Sequence, residues 1–202
     1  LYASENNLTT LDLSNKEFLW TLSINGNNNL TSLDISDTNI HSLDMANLPN
    51  LTNLNASNSS LESIENLNTA TNLKTLNLTN NRISSLNVSK LTKLETLLVS
   101  GQRNSNNEKI LSSLILPNTN AIKDLRIGNN NLSSLDFISK LKKLETLYAY
   151  GSNNVETLNL SSNTKLTTID ITSTSIKQLY LNNISALTST TLSNIVKSVP
   201  NI

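Results

Sequence analysis

The chain has 202 residues, with 15 lysines and arginines against 15 aspartates and glutamates, and no cysteine. A formal charge of zero leaves no basic field to draw nucleic acid or an anionic membrane surface. Disulfides and thiolate metal sites are excluded, and no apolar run approaches the roughly 18 residues of a membrane-spanning helix. The front opens inside a repeat at Leu1-Tyr-Ala-Ser, without an initiator methionine or a leader. The sequence therefore reads as a piece of a longer protein whose targeting segment is missing.

From Leu8 onward the chain repeats. A unit L-x-x-L-x-L, with apolar residues at its first, fourth and sixth places, starts at Leu8, Leu30, Leu51, Leu73, Leu94, Ile122, Leu144 and Leu166, with a degraded copy at Leu187. A second series starts between them at Leu19, Ile40, Leu61, Ile83, Leu111, Leu132, Val155 and Ile176. The main steps are 21 or 22 residues, with one exception of 28. A half-repeat is too short to bury its own leucines, so coils must stack, about 4.8 Å apart, into a parallel sheet around a continuous core. Alternation sends the fourth and sixth places inward and the third, fifth and seventh outward. Leu48, Leu67, Leu91, Leu141 and Ile184 follow the second series and read as fillers of a broader convex side, which assigns the first series to the concave sheet. The phase of 19-LWTLSINGNNNL-30 fits either side.

The exceptional step contains GQRNSNNEK, an extended loop at 101–109 leaving the fifth concave strand. It is expected to bring Arg103, Glu108 and Lys109 to the rim beside Leu98 and Arg126. Insertions in repeat proteins cluster on one face, often the binding face. The alternative is a tolerated surface insertion, because doubling a loop costs only about 0.6 kcal/mol. Near the end, Leu192, Ile195, Val196 and Val199 fall at helical spacing, predicting an amphipathic capping helix over about 189–199 that Pro200 stops.

The stretches LTTLDLS, LTSLDIS and LKTLNLTNN, at this period, resemble the leucine-rich repeat, over nearly the whole chain. The resemblance is to bacterial short-repeat proteins: the internalin-like group and the Asn- and Ser-rich repeats of secreted or lipid-anchored proteins of gut anaerobes. It implies one right-handed solenoid domain over 1–202, of about eight to nine repeats, at the cell surface or outside the cell. The family's Asn after the strand is kept only as Asn81 and Asn130. Lys16, Thr38, Ser59, Gln102, Ser152 and Thr174 replace it elsewhere, which weakens the expected side-chain ladder.

Catalytic signatures are missing. The single histidine, His41, sits at an exposed second place, and neither a nucleophile elbow nor a phosphate loop is present. The chain is read as a non-enzyme without cofactors. Asp12 and Asp34 stack on neighbouring strands, where like charges repel by roughly 0.9 kcal/mol in water; two carboxylates fall short of the six to eight ligands of Ca²⁺. The N-x-S/T triplets, as at Asn77, are expected by chance in such a composition. Most outward places on the sheet hold Ser, Thr, Asn or Asp. The middle coils instead carry Leu98, Asp124, Arg126, Tyr148 and Tyr150, residue types that include those enriched at binding hot spots. With Arg103 these form the candidate partner-binding set. Three readings follow: recognition of a protein ligand, host or cell-surface; binding of a glycan through Tyr148 and Tyr150; and a structural spacer.

Overall fold

The L-x-x-L-x-L unit makes a strand of only three residues, because alternation suits the strand while the polar residues after the sixth place turn the chain. The computed structural model describes residues 1–199 and 202. The strands are β1 (Thr10–Asp12), β2 (Ser32–Asp34), β3 (Ser42–Asp44), β4 (Asn53–Asn55), β5 (Ser63–Glu65), β6 (Thr75–Asn77) and β7 (Ser85–Asn87). They continue as β8 (Thr96–Leu98), β9 (Ser113–Ile115), β10 (Asp124–Arg126), β11 (Thr146–Tyr148), β12 (Thr157–Asn159), β13 (Thr168–Asp170) and β14 (Gln178–Tyr180), followed by the helix α1 (Ser189–Ser198).

The first series forms one parallel sheet of eight strands, in the order β1-β2-β4-β6-β8-β10-β11-β13. We number the coils one to eight along it. Register is uniform: Leu11, Leu33, Leu54, Leu76, Leu97, Leu125, Leu147 and Ile169 stand opposite one another in sequence. All are buried except the two end members, Leu11 and Ile169, which are half-buried.

The second series is broken into three two-stranded pieces, β3-β5, β7-β9 and β12-β14. Where the ladder breaks, successive coils keep a main-chain bond at the start of the unit, as from Arg82 N–H to the Leu61 carbonyl, but lose the strand pairing beyond it. That side is therefore the longer arc, and the eight-stranded sheet lies on the inner one. The fillers Leu48, Leu67, Leu91, Leu141 and Ile184 are buried there, as their spacing requires. Two 3₁₀ turns, Leu67–Thr69 and Asp136–Lys140, widen the same side. The Leu19 unit belongs to it too: Ser23 bridges Tyr2, and Leu22 and Ile24 are buried.

Three expectations need correction. The seventh place does not face solvent: Ser36, Ser100 and Gly128 are buried, and most of the rest are half-buried, because the chain is already turning inward. The degraded unit at Leu187 makes no strand; Thr188 instead caps α1, its side chain accepting from the Thr191 N–H. Of the helical stripe, Ile195 and Val199 are buried, but Leu192 and Val196 stay 41% and 43% exposed, because the helix seats one edge rather than a full face. Pro200 lies outside the described residues.

The ninth place also behaves differently from expectation. Thr38, Ser59, Asn81, Gln102, Asn130, Ser152 and Thr174 are all buried. Each donates to a main-chain carbonyl of the preceding strand end: Thr38 to Ile35, Asn81 to Leu78, Gln102 to Val99, Asn130 to Ile127, Ser152 to Ala149 and Thr174 to Ile171, while Ser59 reaches back to Ile35. Hydroxyls thus keep the donor half of the ladder. Only the amides also accept, as Asn81 Oδ1 does from the Ser59 and Leu61 N–H groups.

Candidate functional site on the long sheet

A local motif organises the outward face. In coil four, Asn77 Oδ1 accepts from both the N–H and the hydroxyl of Thr79, at 3.1 and 2.8 Å. Asn55 and Ser57, Asp34 and Ser36, and Asp170 and Thr172 repeat it. The amides also link coil to coil, Asn77 to Asn55 and Asn55 to Asp34, at 2.9 Å each. An Asp or Asn at the fifth place and a Ser or Thr at the seventh therefore lock each strand's exit. The triplets Asn55-Ala-Ser57 and Asn77-Leu-Thr79 take part in this motif. The next residue, at the eighth place, has a left-handed backbone in every coil: Asn15, Asp37, Asn58, Asn80, Gly101, Asn129, Gly151 and Ser173. Asn, Asp and Gly tolerate that conformation best.

Coils five to seven abandon the lock. Their fifth places are Leu98, Arg126 and Tyr148, in direct register between Asn77 and Asp170. Ser100, left without an acceptor, has a buried hydroxyl with no partner. Gly128 and Tyr150 replace the other two hydroxyl residues. Arg126 is exposed and makes a two-pronged ion pair with Asp124 two residues earlier, with Nε and Nη2 at 3.1 and 3.0 Å from the carboxylate. The carboxylate's hydrogen bonds hold the guanidinium charged and push its pKa up against a smaller opposing effect of burial. The guanidinium carbon also lies 4.8 Å from the centre of the Tyr148 ring. Tyr150 leans back over Gly128: a Cβ on that glycine would stand 2.5 Å from the ring's Cδ1.

Arg103 is not part of this group. It sits on the rim, donating to Asn129 Oδ1 at 2.9 Å and to the Asn107 carbonyl. The inserted loop is ordered as a narrow antiparallel turn, with Arg103 opposite Lys109 and Asn104 Oδ1 accepting from the Asn106 and Glu108 N–H groups. Lys109 Nζ reaches the Gly151 carbonyl of coil seven at 2.7 Å, 42 residues away. Burial, with Arg103 nearby, pushes the Lys109 pKa down. None of these bonds reaches Leu98, Arg126 or Tyr148. The loop clamps the rim of coils five to seven, beside the sheet face.

Sequence reading thus located the large side chains and missed the lock they replace. The signal was present as the recurring D/N-x-S/T at the fifth and seventh places. Among the described residues, no group of three or more His, Asp or Glu could hold a metal ion, and no helix is long and apolar enough to cross a membrane. Asp12 and Asp34 do stand in register, and hydrogen bonds from the Ser14 N–H and hydroxyl lower the Asp12 pKa.

No protein-family model and no curated protein matches this chain. Solved structures do. The functional domain of InlJ from Listeria monocytogenes aligns over 91% of this chain and 53% of its own length, at 22% identity and a TM-score of 0.52. Internalin C2 from Listeria monocytogenes str. 4b F2365 aligns over 93% of this chain and 76% of its own, at 23% identity and a TM-score of 0.62. The plant peptide hormone receptor RGFR1, solved in complex with RGF2, aligns over 86% of this chain and 32% of its own, at 19% identity and a TM-score of 0.61. The chain thus spans about half of the InlJ domain and a third of the receptor. These likenesses establish the fold: a leucine-rich-repeat solenoid, similar in architecture to the internalins.

Proposed function

We propose that the chain is a non-enzymatic protein-recognition module of a secreted or cell-surface bacterial protein, and that its partner docks on the long sheet at coils five to seven. The carrying observation is the loss of the strand-exit lock in three successive coils, where Leu98, Arg126 and Tyr148 stand in its place. Folding has no use for that exchange, since it orphans the Ser100 hydroxyl. A binding surface does: an aliphatic side chain, an aromatic ring and a guanidinium pre-set by Asp124 give apolar area and a directed donor array at little ordering cost. Rigid stacked coils suit that role, and the receptor RGFR1 shares the fold. The internalin-like architecture supports the extracellular setting. Glycan binding has weaker support, since Arg126 already covers Tyr148 and the Tyr150 ring is packed against Gly128.

The test is a pull-down from host and bacterial extracts, followed by affinity measurement with the double variant Tyr148→Ser, Arg126→Ser. A loss of at least about 1 kcal/mol, roughly five-fold, is expected at a hot spot. Unchanged affinity with unchanged melting overturns the site, and selective binding on a glycan array with no protein captured overturns the partner class.

A further inference from the structure

On the opposite side of the solenoid, β9 is paired along one edge only. Its neighbour in the next coil is the 3₁₀ turn Asp136–Lys140, which cannot continue a ladder. In the other paired coils of this side the sixth-place N–H donates to the following coil: Met45 to Glu65 at 3.0 Å, Val88 to Ile115 at 2.9 Å, Leu160 to Tyr180 at 2.9 Å. Leu116 holds the same place and makes no such bond. Its N–H and the peptide groups of Leu114 face a cleft of about 650 Å³, lined by Ile115, Pro117, Phe137, Lys140 and Leu141 among others.

Two further features set this edge apart. The fifth place on this side is otherwise Ser23, Asp44, Glu65, Asn87, Asp136, Asn159 or Tyr180; here it is the aliphatic Ile115, 50% exposed. The β5 edge is also open, but its cleft, which mixes Leu67 and Leu86 with polar residues, carries the carboxylate of Glu62, whereas the β9 cleft, bordered by Asn118 and Asn120 as well, carries none. And Lys140 is the sole charged residue lining the β9 cleft. Pro117 ends the edge after Leu116, so main-chain pairing is short and side chains must supply the rest of the grip.

We propose that the β9 edge accepts an extended peptide from a protein partner as an added strand. Its backbone pairs with Leu114 and Leu116, an apolar side chain lies against Ile115 and Phe137, and a carboxylate meets Lys140. This surface is separate from the long sheet, so the two can be engaged at once.

Two fluorescein-labelled probes test it: three Thr-Val repeats ending in two glutamates, and the same peptide ending in two lysines. Fluorescence anisotropy should show saturable binding of the acidic peptide, at least ten-fold tighter than the basic one, with slowed amide exchange at 114–116. Lys140→Glu should invert the preference, and Ile115→Lys should abolish binding of both, with melting unchanged because both side chains are exposed. No saturable binding of either peptide, or binding indifferent to Ile115→Lys, overturns the edge as a site. An unaltered preference in Lys140→Glu overturns the acidic partner. Self-association of the protein that Ile115→Lys removes places a second copy on the edge and overturns a peptide partner.

Discussion

Tyr150 lies on Gly128 of the preceding coil so closely that the glycine's missing Cβ is the space the ring occupies. Gly128 does not have the left-handed backbone of its neighbour Asn129, so its side-chain-free character is required by contact and not by conformation. Gly128→Ala is expected to cost about 1–3 kcal/mol by overpacking, and to lower melting by some 2–4 °C per kcal/mol at this chain length. Adding Tyr150→Ser should restore most of the loss. A full, additive loss in the double variant would place the strain elsewhere.

The orphaned Ser100 hydroxyl gives a second test. Leu98→Asn supplies the acceptor that Asn77 supplies to Thr79, forming up to two hydrogen bonds of about 1 kcal/mol each. The half-exposed leucine gives up a comparable amount of burial. Melting should therefore be no lower than in the native protein, while partner affinity falls. A drop of several degrees in thermal scans would make Leu98 a core residue and remove it from the site.

Leu76 stands at the centre of the inward ladder, fully buried between Leu54 and Leu97. Leu76→Asp buries a charge with nothing to pair it and should cost several kcal/mol, enough to prevent folding. Circular dichroism of the purified variant decides: a soluble, cooperatively melting protein contradicts the register.

Removing residues 188–202 takes away the buried Ile195 and Val199 and opens the cleft in which Ile195 faces Ile169 and Thr168. Lower melting or aggregation is expected, since β13 becomes an unprotected edge. Thr188→Ala, which deletes only the helix cap, should cost about 1 kcal/mol. If neither change moves the melting curve, the helix is not a cap.

The Lys109 clamp predicts a pH effect. Burial lowers its pKa, so the folded chain holds this proton less tightly than the unfolded chain, whose lysine titrates at the ordinary value of 10.5. Stability should then rise with pH in the window approaching 10.5, and Lys109→Ala should lack the rise. The same variant loses the bond to Gly151, so amide exchange across 103–109 should quicken. Parallel melting-versus-pH curves for the two proteins would remove Lys109 as the source.

The spacing of leucines determined the solenoid. A half-repeat can bury its fourth and sixth residues only against copies of itself, so period and alternation together fix the strands, the inward ladder and the place of the inserted loop. The same alternation marked Leu98, Arg126 and Tyr148 as outward and unlike their counterparts. Tertiary structure decided what alternation is blind to. The seventh place turns inward, even at Ser100 and Gly128 where no Asp or Asn precedes it, because the chain leaves the strand there for the left-handed residue at the eighth place. Arg103 is held on the rim by Asn129 and does not reach Leu98 or Arg126, and Ile115 lines an open edge because the next coil is a 3₁₀ turn. The last two outcomes depend on what the neighbouring coil, more than 20 residues away, places alongside, and so on stacking that a one-dimensional pattern does not contain.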